Sequence, residues 1–225
     1  YLTIPVAHRK VEHIEIILQN PHEEEYVNPI NTHDECANGK TRLITELGNH
    51  LQLIGLAALN WFRPGAPMLF QGDEFAEEGW CTVFTPLDWG KTGPGAHLHQ
   101  QQMTANIHDL NQILRREPAL ARRDHVSYDR IGSNNEHKWF SFVRWGGDKK
   151  FDSGEWADHR DDLIFVRNEA SWQAPVQAEL YVPVDGEYQV IYNSIDERYI
   201  GQQDYNRHDP YWSAWAGGHF LRLEL

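Results

Sequence analysis

Apolar positions change their spacing about halfway along the chain. In the first half they recur at helical intervals. Leu47, Leu51, Ile54, Ala58 and Trp61 share one face and predict a helix over residues 46–62, which Pro64 and Gly65 end. Met103, Ile107, Leu110 and Leu114 share another and predict a helix over residues 98–115. Short apolar runs precede each helix. "EYVNPIN" reads as extended, because Pro29 disfavours a helix, and "APMLFQG" reads as a short strand stopped by Gly72. "VEHIEIILQ", further upstream, is apolar on one face and reads as a helix. Strand, loop, helix, strand, loop, helix is the order of parallel β/α units. Two units fit before Pro118, whereas a complete β/α barrel needs about 250 residues. The first half is therefore either a small open α/β domain or the tail of a barrel.

In the second half the period falls to two. Val176, Ala178, Leu180 and Val182 alternate with Gln177, Glu179 and Tyr181, as in a half-buried strand. "HKWFSFVRW", "DLIFVRN", "EYQVIYN" and "HFLRLEL" are further strand-like runs, and Asp185-Gly186 predicts a hairpin turn inside "VPVDGEYQV". "GGDKKFDSGEWADHRDD" reads as a surface loop. The pattern is that of an antiparallel sandwich or barrel of roughly a hundred residues.

Composition narrows the classes. The 225 residues are 40% hydrophobic and 24% charged, enough for a packed core. Acids outnumber bases 33 to 20, for a net charge of −13, which repels phosphate backbones and argues against nucleic acid. No run of about 18 apolar residues offers a membrane span. The two cysteines, Cys36 and Cys81, make no zinc framework and read as free thiols, which fits the cytoplasm. The chain opens "YLTIPVAHRK", without an initiator Met or a cleavable leader, so a truncated chain is expected.

Candidate chemistry concentrates in "NTHDECANGK", just past the first strand. In β/α folds the chemistry lies at the carboxyl ends of strands. Asp34 follows the first strand; Asp73 and Glu74 follow the second, so two acidic clusters are expected at one end. Paired carboxylates suit glycosidic cleavage, and a neighbouring His33 suits sugar hydroxyls. Acids at these positions also serve as helix caps. His97 and His99 have the spacing of strand ligands but no completing cluster, and read as a polar loop; Cys36 has no base partner and reads as packing or as a rim residue. Tyr211, Trp212 and Trp215 are either sugar-stacking faces or packing residues of the β part.

The blocks together resemble the α-amylase superfamily, family 13 of the glycoside hydrolases. "NPINTHDECANGKTRL" resembles its last catalytic stretch, in which a His-Asp pair closes the seventh barrel strand. "RPGAPMLFQGDEFAEEGWCTVFTPLDWG" resembles the eighth strand and following loop, above all in 1,4-α-glucan branching enzymes. "LNQILRREPAL" looks like the last barrel helix, and "HKWFSFVRW", "LIFVRNEAS" and "VPVDGEYQVIYNS" like the all-β domain that follows. The fold this implies is α/β plus all-β. Residues 1–118 would hold the last two β/α units of a (β/α)8 barrel, and residues 119–225 an antiparallel β-sandwich.

The resemblance implies a retaining mechanism with three carboxylates. Asp34 matches the one that holds sugar hydroxyls and steadies the transition state, and His33 its substrate-binding neighbour. The nucleophile and acid/base belong to the fourth and fifth strands and have no counterpart here; Glu12, Glu15 and Glu23 precede the pair and are not assigned. The implied function is the C-terminal part of an α-glucan-active glycoside hydrolase or transglycosidase. It is most like a branching enzyme, which cleaves an α-1,4 bond and transfers to a 6-hydroxyl. The alternatives are an amylase-type or debranching hydrolase and a non-catalytic glucan-binding or interaction fragment. The implied partners are an α-glucan (glycogen, starch or maltooligosaccharide) and the missing N-terminal part of the same barrel. No cofactor and no metal is called for. Alone, the chain is expected to be inactive and to aggregate, because absent strands leave edges unpaired.

Overall fold

Pro29 and Pro67 have no backbone N–H to give to a ladder, and the strands that contain them are short. The computed structural model describes residue 10 and residues 27–37, 39–121, 128–147, 161–169, 177–182, 184–200, 213–217 and 220–224. Strands β1 (Val27–Pro29) and β2 (Ala66–Met68) pair in parallel, with Val27 opposite Ala66 and Pro29 opposite Met68. Two buried amides knit this pair to its surroundings. Asn28 Nδ2 donates to the Pro64 carbonyl at 2.7 Å, and Asn60 Nδ2 to that of Pro29 at 3.0 Å. The helix expected from "VEHIEIILQ" lies outside the described residues.

The crossover between β1 and β2 is helical, in three pieces: α1 (His33–Cys36), α2 (Leu43–Leu47) and α3 (His50–Phe62). The periodicity predicts one helix over 46–62, and the structure breaks it. Gly48 turns left-handed at φ 58 and ends α2; Asn49 then caps α3 by accepting from Leu51 N at 2.9 Å. Apolar spacing survives such a break, so it could not reveal it. After β2 the chain forms two short 3-10 turns, Asp73–Phe75 and Trp89–Thr92, and then α4 (Leu98–Arg116) and α5 (Pro118–Ala121). On α4 the buried apolar face is Met103, Ile107, Leu110 and Ile113, with Leu114 only partly buried.

The all-β part holds an antiparallel sheet of β3 (Tyr128–Asn134), β4 (Trp139–Arg144) and β5 (Leu163–Asn168), with β4 central. Strand β4 is buried along its whole length because both its faces are covered. Phe140 and Phe142 face the core shared with α3 and α4, while Trp139 faces a second core. That second core comes from β6 (Gln177–Tyr181) and β9 (Phe220–Glu224), which pair antiparallel and bury Ala178, Leu180, Leu221 and Leu223. The expected alternation in β6 is present. The expected hairpin at Asp185-Gly186 is not. Strand β7 (Gly186–Gln189) pairs with β8 (Ser213–Ala216), and β6 with β9, so the two runs flanking Asp185 belong to different pairs. Strands β3 and β8 were not indicated by the sequence pattern, nor was α6 (Glu197–Ile200).

The two parts meet through one continuous core in which Leu53, Ile54 and Phe62 of α3 and Met103 and Leu110 of α4 join Phe140, Phe142, Phe165 and Tyr199. Polar clamps border it. Arg144, itself buried, donates to the carbonyls of Phe62 at 2.8 Å and Ala119 at 3.3 Å, where two helices leave carbonyls unpaired. Arg167 of β5 lies beside Gly55 of α3, where a methyl group would crowd its guanidinium, and pairs with Glu169. Tyr192 donates to Asn106 Oδ1 at 2.6 Å, and the buried Tyr199 hydroxyl to Asp109 Oδ2 at 2.6 Å. Tyr199→Phe is expected to cost about 1.5–3 kcal/mol, the range for a hydrogen bond to a charged group, read as a lower urea midpoint at unchanged slope.

Candidate functional site

The turn after β1 is fixed from below by a buried polar knot. Asn31 follows β1 and is only 3% exposed; its side-chain amide donates to Asp73 Oδ1 at 2.5 Å and its backbone N–H to Asp73 Oδ2 at 3.3 Å. Asn31 Oδ1 in turn accepts from Leu43 N at 2.8 Å. One side chain thereby joins the ends of β1 and β2 to the start of α2. Asp73 also accepts from Phe70 N at 3.0 Å and lies 3.7 Å from Arg42 Nη1, both charged side chains being buried. Arg42 stacks its guanidinium over Phe70, 5.4 Å from the ring centre. Burial outweighs these donors and pushes the Asp73 carboxyl up to about 6. Gly72, at φ 92, makes the turn that returns Asp73 inward, and a β-carbon there would meet Glu77 at 2.8 Å.

On this base stands α1. Glu35 accepts from the backbone N–H and the hydroxyl of Thr32 at 3.1 and 3.2 Å, holding the first turn. His33 and Asp34 project from it, 75% and 80% exposed, with His33 Nε2 3.0 Å from Asp34 Oδ1. The contact orients the imidazole toward the carboxylate and leaves the second carboxylate oxygen open. Such a pair can accept hydroxyl protons in hydrogen bonds and place a negative charge beside a developing cation.

The two acidic clusters expected at one end therefore divide. Asp34 is exposed, whereas Asp73 is scaffold and Glu74 is bound to Gly72 N at 2.9 Å, so neither serves as a second open carboxylate. His97 N accepts no role beyond the helix start: it donates to Gln100 at the head of α4, and its ring stacks on His99 at 5.8 Å. Among the described residues no group of three or more His, Cys, Asp or Glu could hold a metal, and no helix is long and apolar enough to cross a membrane. Tyr211 and Trp212 lie outside the described residues; Trp215 sits in β8 opposite Glu187.

Sequence reasoning missed a set of exposed aromatics on the loop after β2. The loop after β2 runs along α1 and α2, with Arg42 N donating to Gly79 O at 2.7 Å and Gly79 N to Thr45 Oγ1 at 2.7 Å. It carries Trp80, Phe84 and Trp89, which are 65%, 92% and 59% exposed. The signal was "GWCTVFTPLDW" itself, whose large apolar residues show neither helical nor strand spacing.

Residues 130–225 match the alpha amylase C-terminal all-beta domain family. The chain is 28% identical to the 1,4-alpha-glucan branching enzyme of Nitratidesulfovibrio vulgaris (strain DP4), over 100% of this chain and 34% of that protein. It is 32% identical to the enzyme of the same name from Pseudomonas syringae pv. tomato, over 79% of this chain and 23% of the relative. Two solved structures share the fold. The native form of the Nostoc punctiforme debranching enzyme matches with a TM-score of 0.54 at 20% identity, over 88% of this chain and 33% of that one. The alpha-amylase from H. orenii matches with a TM-score of 0.53 at 15% identity, over 88% and 39%. The chain thus spans about a third or less of the curated relatives it matches.

Proposed function

Because this chain belongs to the α-amylase superfamily, we propose that it is the C-terminal part of an α-glucan-active enzyme of the branching type. The observation that carries this reading is the similarity of the whole of this chain to part of a branching enzyme, with the His33–Asp34 pair at the carboxyl end of β1. Residues 1–118 then supply the last two β/α units of a barrel, and residues 119–225 its all-β companion. The parallel pairing of β1 and β2 through a helical crossover supports that assignment.

In this reading the substrate is an α-1,4-linked glucan. Asp34 holds hydroxyls of the sugar ring being cleaved and stabilises positive charge at its anomeric carbon, and His33 hydrogen-bonds a neighbouring hydroxyl. The nucleophile and the acid/base come from earlier strands of the same barrel, as retaining cleavage requires. The buried knot of Asn31, Asp73 and Arg42 keeps the Asp34 turn in place through the reaction, which is what a charge-stabilising group needs. Trp80, held between Gly79 and Cys81 alongside α1, extends the site as a flat face for a further sugar ring. The free thiols support a cytoplasmic setting.

The test is a chimera. Residues 1–225 replace the matching stretch of the Nitratidesulfovibrio vulgaris enzyme, and the product is given amylose. New α-1,6 branches, seen as a fall in iodine absorbance without new reducing ends, are the expected result. New reducing ends alone would instead select the amylase-type reading, and linear chains released from a branched glucan, with amylose left intact, the debranching one. Binding without turnover would leave a glucan-binding part. In an active chimera Trp80→Ala should raise KM about fivefold with little change in kcat, since a stacking face worth about 1 kcal/mol is lost.

A further inference from the structure

The chain's two cysteines are 45 residues apart in sequence, yet the fold sets them side by side next to His33 and Asp34. The geometry points to Cys36 and Cys81 as a reversible disulfide site that clips the loop after β2 to α1. The backbone N–H of Cys81 donates to the Cys36 carbonyl at 2.5 Å. With ordinary bond lengths on either side of that hydrogen bond, the two α-carbons lie no more than about 6.4 Å apart. Disulfides span about 4.4–6.8 Å. The approach is not an isolated contact, because the bonds from Arg42 N to Gly79 O and from Gly79 N to Thr45 Oγ1 hold the same loop segment along the same helices. The thiols are also close enough that charge on Cys81 raises the Cys36 thiol.

The two cysteines differ in access. Cys36 is fully buried and its thiol donates to the Thr32 carbonyl at 2.9 Å; Cys81 is half-buried, with the Gln71 amide 3.7 Å from its sulfur. This sets the order of steps. A low-molecular-weight disulfide is the oxidant. The Cys81 thiolate attacks one of its sulfurs, forming a mixed disulfide and releasing one thiolate. Cys36 then leaves its bond to Thr32, loses its proton to solvent and attacks the Cys81 sulfur. The protein disulfide forms and the second small thiolate departs, so the reagent gains the two electrons the cysteines lose. Because burial pushes the Cys36 thiol up, the second step accelerates as pH rises. A small thiol reverses both. The site does not rest on the glucan reading.

The test treats the chimera that carries residues 1–225 with oxidised glutathione at pH 8, blocks remaining thiols and maps tryptic peptides without reduction. The expected product links peptide 11–40 to peptide 43–91, loses both free thiols and two hydrogens in mass, and reverts with dithiothreitol. Cys36→Ser should stop at the glutathione adduct on Cys81, and Cys81→Ser should leave Cys36 unmodified. Closure in the folded chain should outrun closure in concentrated urea at least tenfold. A wild-type chain that stops at the mixed disulfide, that links only between molecules, or that closes no faster folded than unfolded would overturn the inference.

Discussion

Asp34→Asn is expected to lower glucan transfer by the active chimera roughly 10³-fold or more, with the fold intact. The side chain is 80% exposed and makes its described contact only to His33, so the isosteric amide removes no packing. On the proposed reading, what it removes is a negative charge beside the anomeric carbon at the moment that carbon becomes cationic. A loss of that size corresponds to about 4 kcal/mol of transition-state stabilisation. It should fall on kcat more than on KM, because the amide still bonds to ring hydroxyls in the ground state. Rates near those of the parent, with an unchanged melting curve, would reduce Asp34 to an acid on a loop.

The second large effect is on stability. Asp73→Ala should cost about 3–5 kcal/mol, read by chemical denaturation at pH 7. The cost arises from the groups left behind. Arg42 stays buried without its counter-charge, and the Asn31 amide and Phe70 N–H lose their acceptor. The same carboxyl gives stability a pH dependence of unusual sign for an aspartate. It ionises near 3.9 in an unfolded chain but at about 6 in the folded one. Between these values the folded state holds the extra proton, so this group's contribution falls as pH rises from about 4 to about 6 and is level above. Asp73→Asn, which cannot titrate, should flatten that part of the stability profile. A profile unchanged by the substitution would locate the dependence elsewhere.

What the sequence disclosed follows the range of the forces involved. The α4 face and the alternation of β6 were legible because a single element's burial is written in its own spacing. The break at Gly48-Asn49 was hidden because the apolar residues on either side keep nearly the same phase. The pairing of β7 with β8 was hidden for another reason. Asp185-Gly186 has the chemistry of a tight turn, but the burial of Leu221 and Leu223 against Ala178 and Leu180 joins β6 to β9 instead. Such a partner is chosen by a distant run. At the site, His33 and Asp34 were legible as a pair. The inward turn of Asp73 was not, because an acid after a strand reads alike whether it faces water or a buried arginine.

The core that runs from α3 and α4 into β4 and β5 bears on how this segment can be exchanged between relatives. Residues 118 and 119 look in sequence like a seam. A recombination junction placed there would pair Phe140, Phe142 and Phe165 with foreign partners for Phe62 and Leu110, and would aim Arg144 at a carbonyl at position 62 that it was not fitted to. A junction ahead of β1 leaves those contacts whole. The heritable unit is therefore the pair of helices together with the sheet they carry, and substitutions on one side of the seam should be tracked by compensating changes on the other.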